Sequence, residues 1–261
     1  MRLSPDQPST PQAREDLQAN TRSVQTYNQE LSTLSPVAIV EWALARFGRD
    51  CAIAFSGAED VVLIDMAAQS GKECSVFCLD TGRLHPETLE FVERVRSHYQ
   101  VPIEVMSPER RALEEFVHQK GLFSFYEDGH NECCSLRKVE PLRRALSTRD
   151  AWITGQRRDQ SPDTRGTLDA LELDAGFHGR GEALYKFNPL AKWTSDQVWH
   201  YIREHSVPCN PLHDHGFRSI GCAPCTRPVQ PDQHEREGRW WWEAAAKKEC
   251  GLHITEQVDS N

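Results

Sequence analysis

Apolar residues fall into two kinds of stretch along this chain. Some are short unbroken runs closed by small or polar residues, and others are longer segments where apolar positions return every three or four residues. The runs at 51–55, 75–79, 102–106 and 151–154 have the length and continuity of strands covered on both faces, as in a parallel sheet. Helical patterns alternate with them. Val37, Val40, Leu44 and Phe47 follow a start at Ser35 and Pro36 and precede Gly48. Val61, Val62, Leu63, Ile64 and Met66 open a helix to about residue 70, and Leu89, Phe91, Val92 and Val95 follow Pro86. A further helix spans 108 to about 120, and a weaker pattern covers 15–34. Three strand-helix units in succession predict an α/β fold with a mostly parallel, Rossmann-like sheet, right-handed crossovers and a ligand site at the carboxyl ends of the strands.

Beyond the third unit the pattern loosens. A basic segment at 135–146 reads as a helix broken at Pro141. Residues 163–182 read as an irregular Gly-rich loop, and 185–190 as a fifth strand. Thr194 with Gln197 forms a capping box that opens a helix through Val198, Trp199, Tyr201 and Ile202. Residues 1–14, rich in proline and nearly free of apolar side chains, are expected to be a disordered arm.

Composition narrows the function classes. The 261 residues suit one α/β domain with additions, and 30 basic against 39 acidic residues give a net charge of -9, which argues against a general nucleic-acid or membrane-surface binder. No run approaches the roughly 18 apolar residues of a membrane span, and the N-terminus lacks the apolar centre of a signal peptide, so a cytoplasmic protein is expected. Nine cysteines, an odd number, fit a reducing compartment where thiols bind metal or do chemistry.

Four of those cysteines are paired: Cys133 beside Cys134, and Cys222 with Cys225 in Gly-Cys-Ala-Pro-Cys. Vicinal cysteines close a disulfide only with strain. Four thiolates from two distant segments suit a tetrahedral zinc or an iron-sulfur cluster, and the long separation makes such a centre a clasp between segments rather than a local finger. A redox dithiol at Cys222 and Cys225 beside two ordinary buried thiols is the plainer alternative. The turn Ser56, Gly57, Ala58, Glu59, Asp60 joins a strand to a helix, where free N–H groups could hold an anion; it matches neither glycine-rich phosphate fingerprint, so a plain turn is the alternative. Asp80, Thr81 and Gly82 end the next strand at the same edge. Arg157 and Arg158 follow the fourth strand and Arg165 lies beyond them, with geometry suited to phosphate or sulfate, or to ordinary solvated charge. Lys138, four residues after Cys134, returns to that cysteine's face of a helix. Cys250 has Lys247, Lys248 and His253 nearby, which favour a reactive thiolate, although a lone tail thiol is equally compatible with that stretch. His213 and His215 flank Asp214 in what reads as a loop.

Taken together and in order, the 56–60 turn, Leu79 to Gly82, the Cys133 pair with Arg137 and Lys138, Gly155 to Ser161, the Cys222 pair with Thr226, and Glu249 to His253 resemble assimilatory adenylyl-sulfate (APS) reductases of the PAPS/APS reductase family. The resemblance implies an adenine-nucleotide α-hydrolase-like fold and a [4Fe-4S] cluster on Cys133, Cys134, Cys222 and Cys225. It implies that Cys250 attacks the sulfur of APS to give an S-sulfocysteine, and that thioredoxin then releases sulfite. It sets Lys138, Arg236, Arg239 and His253 beside the phosphosulfate, and Ser56, Gly57, Asp60, Asp80, Thr81, Gly82, Arg157, Arg158 and Arg165 around the nucleotide. The expected layout is then the arm, a nucleotide- and cluster-binding domain at 15–235 and a catalytic tail at 236–261, with a homo-oligomer possible. A reductase of PAPS or of both nucleotides, an ATP pyrophosphatase-type adenylating enzyme and a zinc-clasped binding module are the competing readings.

Overall fold

The computed structural model describes residues 11–181 and 183–243. Helix α1 (Pro11–Leu31) precedes α2 (Pro36–Phe47), whose first turn is closed by Ser35 accepting from the Ala38 N–H. The repeating units are β1 (Cys51–Phe55), α3 (Val61–Ser70), β2 (Ser75–Leu79), α4 (Pro86–Tyr99), β3 (Ile103–Met106) and α5 (Arg110–Lys120). A helical run follows as α6 (Asn131–Cys134), a π-helical turn over Ser135–Val139, and α7 (Glu140–Leu146). The chain continues through β4 (Ala151–Ile153), the short α8 (Pro162–Arg165), β5 (Leu171–Leu173), β6 (Tyr185–Phe187) and α9 (Ser195–Glu204).

The six strands lie in the order β3-β2-β1-β4-β6-β5. All neighbours are parallel except β5 on β6. Odd-numbered positions of β1, Cys51, Ile53 and Phe55, face a core shared with α2, α3 and α9, while Ala52 faces a second core with Phe77, Trp152, Leu142 and Leu146. Both faces are thus covered, which is why the strands are continuously apolar. Strand order reverses between β1 and β4, and the crevice at the carboxyl ends there is where such sheets bind ligands.

Four departures from the expected elements stand out. Helix α1 begins at Pro11, earlier than the apolar periodicity suggests, because proline starts a helix without needing its own N–H bond. The 135–146 helix is irregular ahead of Pro141 rather than at it. Proline lacks the N–H and crowds the carbonyl four residues back, so the π-helical turn at 135–139 absorbs the misfit and Pro141 sits near the start of α7. Strand β5 was invisible in a stretch read as loop, since three residues carry no periodicity. It exists because it pairs with β6, while Asn28 of α1 both donates to the Leu171 carbonyl (2.8 Å) and accepts from its N–H (3.1 Å). The fifth expected strand is shorter, ending at Phe187. Among the described residues no helix is long and apolar enough to cross a membrane.

Candidate functional site

A cleft of about 210 Å³ opens at the carboxyl ends of β1, β2 and β4. Ala54, Phe77, Leu79, Leu142 and Trp152 form its apolar wall, and Lys138, Arg165, Arg236 and Arg239 bring positive charge to it. Such a site suits a flat apolar ring joined to an anionic group.

The turn after β1 supplies Ser56, Ala58, Glu59 and Asp60. Gly57 is required there: its φ is +79°, and a Cβ would stand 2.5 Å from Thr88 Cγ2. Part of the expected cradle of free N–H groups is occupied from within. Asp60 accepts from the N–H of Ser56 (2.7 Å) and of Ala58 (3.2 Å), and the Val61 and Val62 N–H groups turn back to the carbonyls of Ala58 and Glu59. Burial pushes the Asp60 carboxyl up to about 6 against those two N–H bonds, with Glu59 adding to the rise.

After β2, Asp80 closes its own turn by accepting from the Gly82 N–H (2.8 Å), so neither residue lines the cleft. Thr81 does line it. Its hydroxyl lies 3.2 Å from Cys222 Sγ, and its carbonyl accepts from Arg137 Nη1 at 2.6 Å. After β4 the arginines divide. Arg158 donates to the Leu168 carbonyl (2.7 Å) and pairs with Asp169, away from the cleft. Arg157 is 1% exposed and pairs with Glu59 (3.1 Å) and Glu235 (3.0 Å). Neither Arg157 nor Arg158 lines the cleft, whereas Arg165, buried at the end of α8, does so and donates to Gln160 (2.6 Å).

Burial pushes the Glu59 carboxyl up, but Arg157 and His213 together hold it below the ordinary carboxylate range. For Glu235 burial and the neighbouring Glu59 prevail over Arg157, raising it to about 7.

Beside this cleft the four paired cysteines, each 5–8% exposed, share one hydrophobic cluster with Phe125 and Trp240. They surround a small enclosed space that Lys138 also lines, so Lys138 faces both it and the cleft. The π-helical turn carries Arg137 and Lys138 inward together. The Cys222 segment is held by bridge pairing with Leu84 and by the Ala223 N–H donating to the Arg83 carbonyl (2.8 Å). Without a bound cation, burial pushes the Cys225 thiol up to about 12 and the Cys133 thiol upward against Arg137 and Arg83. Among the described residues no three His, Cys, Asp or Glu side chains stand close enough together for a single metal ion.

Arg236 and Arg239 both line the cleft. Arg239 lies against Gly221, where a Cβ would come within 2.6 Å of its Nη2, and bonds Ser219 (3.2 Å) and the Ile220 carbonyl (3.3 Å). Its guanidinium covers the Trp240 ring at 4.6 Å, Lys138 Nζ lies 5.6 Å from the same ring, and His130 stacks on it at 4.2 Å. Trp240 is fully buried with φ of +41°, a strained conformation for an aromatic residue. Glu243 fixes His130 through its backbone N–H (2.9 Å) and ring Nδ1 (2.7 Å). Trp240 and Glu235 were not legible as site residues: a run of three tryptophans gives no hint which is buried, and Glu235 signals only through its distant partner Arg157. Cys250 and His253 lie outside the described residues.

Residues 50–228 match the family described as the phosphoadenosine phosphosulfate reductase domain. The adenosine 5'-phosphosulfate reductase of Pseudomonas aeruginosa is 58% identical over 223 residues, covering 85% of this chain and 84% of that protein. A probable chloroplastic 5'-adenylylsulfate reductase 1 of Oryza sativa is 56% identical over 228 residues, covering 86% of this chain but 48% of its own length, so this chain spans about half of the plant protein. The crystal structure of phosphoadenylyl-sulfate (PAPS) reductase from Candida auris superposes with a TM-score of 0.64 at 29% identity, covering 79% of this chain and 96% of that one. The mostly parallel sheet with flanking helices expected from the strand-helix pattern is present, and its superposition on the PAPS reductase agrees with the family the motifs resemble. By sequence over most of its length and by topology, the chain belongs to the phosphoadenosine phosphosulfate reductase domain family.

Proposed function

We propose that the chain reduces APS to sulfite and AMP in assimilatory sulfate reduction, with thioredoxin as the reductant. The carrying observation is one cleft with an apolar wall and four convergent cations, Lys138, Arg165, Arg236 and Arg239, directly beside four buried cysteines. The adenine ring packs on the apolar wall, and the cations neutralise the phosphosulfate so that a thiolate can approach a sulfonate. Cys250 Sγ attacks the sulfur, the sulfur-oxygen bond to phosphate breaks, and AMP leaves with the electron pair. A thioredoxin thiolate then attacks Cys250 Sγ and expels sulfite to leave a mixed disulfide, and the second thioredoxin thiol attacks the thioredoxin sulfur of that bond, closing the thioredoxin disulfide and releasing the Cys250 thiolate. Two electrons thus pass from the dithiol to sulfur.

Four buried thiols converging on one space fit a [4Fe-4S] cluster on Cys133, Cys134, Cys222 and Cys225. Four thiolates are the ligand set that a cubane takes. When bound, the cluster supplies a fixed charge distribution behind Lys138, and the thiol displacement itself needs no electron from it. Lys138, lining both spaces, holds its ammonium toward the sulfonate.

The test is incubation with APS and intact-mass analysis, followed by thioredoxin. A sulfonate adduct on the protein, lost in Cys250→Ser and released as sulfite by thioredoxin, supports the reading. Absence of the adduct in wild type, or its persistence in Cys250→Ser, refutes it. Parallel turnover of PAPS decides between nucleotides.

A further inference from the structure

We propose that Arg157 is a positioning residue, a buried clasp that fastens the turn after β1 to the segment carrying Arg236 and thereby sets where Arg236 stands over the cleft. The inference rests on the substrate reading above. Its basis is the way one guanidinium joins segments remote in sequence. Arg157 Nη1 donates to Glu59 Oε1 at 3.1 Å, and Nη2 donates to Glu235 Oε2 at 3.0 Å. Glu59 belongs to the turn that lines the cleft, and Glu235 immediately precedes Arg236, which also lines it.

Two further contacts widen the clasp. His213 Nε2, from the turn Pro211–His215, lies 4.0 Å from Glu59 Oε2. The Arg157 backbone N–H donates to Gln160 Oε1 (3.2 Å), which also accepts from Arg165 Nη1 (2.6 Å). The arginine that stays out of the cleft is therefore connected to two that line it. A planar guanidinium with its donors in a fixed fork sets the angle between its two carboxylates as well as their distance, which a lysine ammonium cannot do. With all three side chains nearly removed from solvent, unfastening one partner strands the others, so the segment must move or take in water.

Neutralising Glu235 separates this role from simple electrostatics by sign. Were Glu235 only a negative charge near an anion site, Glu235→Gln would tighten the binding of an anionic nucleotide. As half of a clasp, the same substitution loosens it. The experiment measures AMP affinity and APS turnover for wild type, Glu235→Gln, Glu59→Gln and Arg157→Lys, with iron content and Tm as controls on folding.

About a tenfold rise in AMP Kd is expected for Glu235→Gln, the size of losing one charge-assisted contact. KM for APS should rise more than kcat falls, with iron content unchanged. Glu59→Gln and Arg157→Lys should shift affinity in the same direction. Arg236→Ala should cost several-fold less in the Glu235→Gln background than in wild type, because Arg236 is already displaced there. AMP binding by Glu235→Gln as tight as wild type or tighter overturns the clasp, as does an Arg236→Ala penalty equal in both backgrounds. A wild type that binds AMP without consuming APS removes the substrate reading alone, and the AMP affinities still decide the clasp. A wild type that binds no AMP overturns both.

Discussion

Gly221→Ala is a probe of whether the position of Arg239, rather than its charge, matters. A methyl at residue 221 would lie 2.6 Å from Arg239 Nη2 and 2.7 Å from Cζ. Ordinary carbon contacts are about 3.5–4.0 Å, so the guanidinium must move by about 1 Å. The clashing atoms are the far end of a flexible side chain, so the backbone can stay in place while the cation shifts. Its bonds to Ser219 and the Ile220 carbonyl are long, 3.2 and 3.3 Å, and yield readily. A displacement of about 1 Å in a charge that stabilises a transition state costs on the order of 100-fold, or about 2.7 kcal/mol. We expect kcat/KM for APS to fall by about that factor, with a small change in Tm and with iron and sulfide content at the wild-type level. The assay is steady-state sulfite production with thioredoxin in excess, alongside thermal denaturation and metal analysis. If kcat/KM stays within about twofold of wild type while iron is retained, the placement of Arg239 is not what the cleft depends on, and the reasoning fails.

Three other outcomes are expected. Lys138→Ala should lower kcat/KM by about 100-fold or more, as for loss of one preorganised charge, with cluster content intact; full activity in a loaded variant would disprove its coupling role. Cys134→Ser should reduce iron and sulfide in the purified protein well below wild type and lower its Tm, and an unchanged iron-to-protein ratio would remove Cys134 from the ligand set. Asp60→Asn tests the raised carboxyl. A group whose folded pKa is raised to about 6 from 3.8 contributes stability at low pH that is lost as pH climbs through that window. Wild-type stability relative to Asp60→Asn should therefore fall by up to about 3 kcal/mol between about pH 4 and pH 6, measured by denaturant titration, and a flat difference would show that Asp60 is not desolvated.

The legible parts of this protein are those whose causes are local. The runs at 51–55 and 75–79 read correctly as buried strands because a residue covered on both faces must be apolar whatever covers it. The caps at Ser35 and Thr194 read correctly because a capping bond spans three residues. Strand β5 escaped notice for the opposite reason, since its existence depends on β6 and on Asn28, 143 positions away. The Ser56 turn shows a subtler limit: strand, glycine turn and helix are all in place, but Asp60 takes up two of the turn's N–H groups, those of Ser56 and Ala58.

Sequence alone determined the strand-helix alternation, the pairing of the cysteines along the chain and, through the joint order of its motifs, the family. Tertiary structure decided which charges line the cleft and which face each other. Arg157, Arg158 and Arg165 are the same residue type within nine positions, yet only Arg165 lines the cleft. Arg157 turns inward because Glu59 and Glu235, 98 and 78 positions away, meet it in the interior. Arg157 is desolvated where two opposite charges wait for it, and whether they wait there is a property of the folded chain.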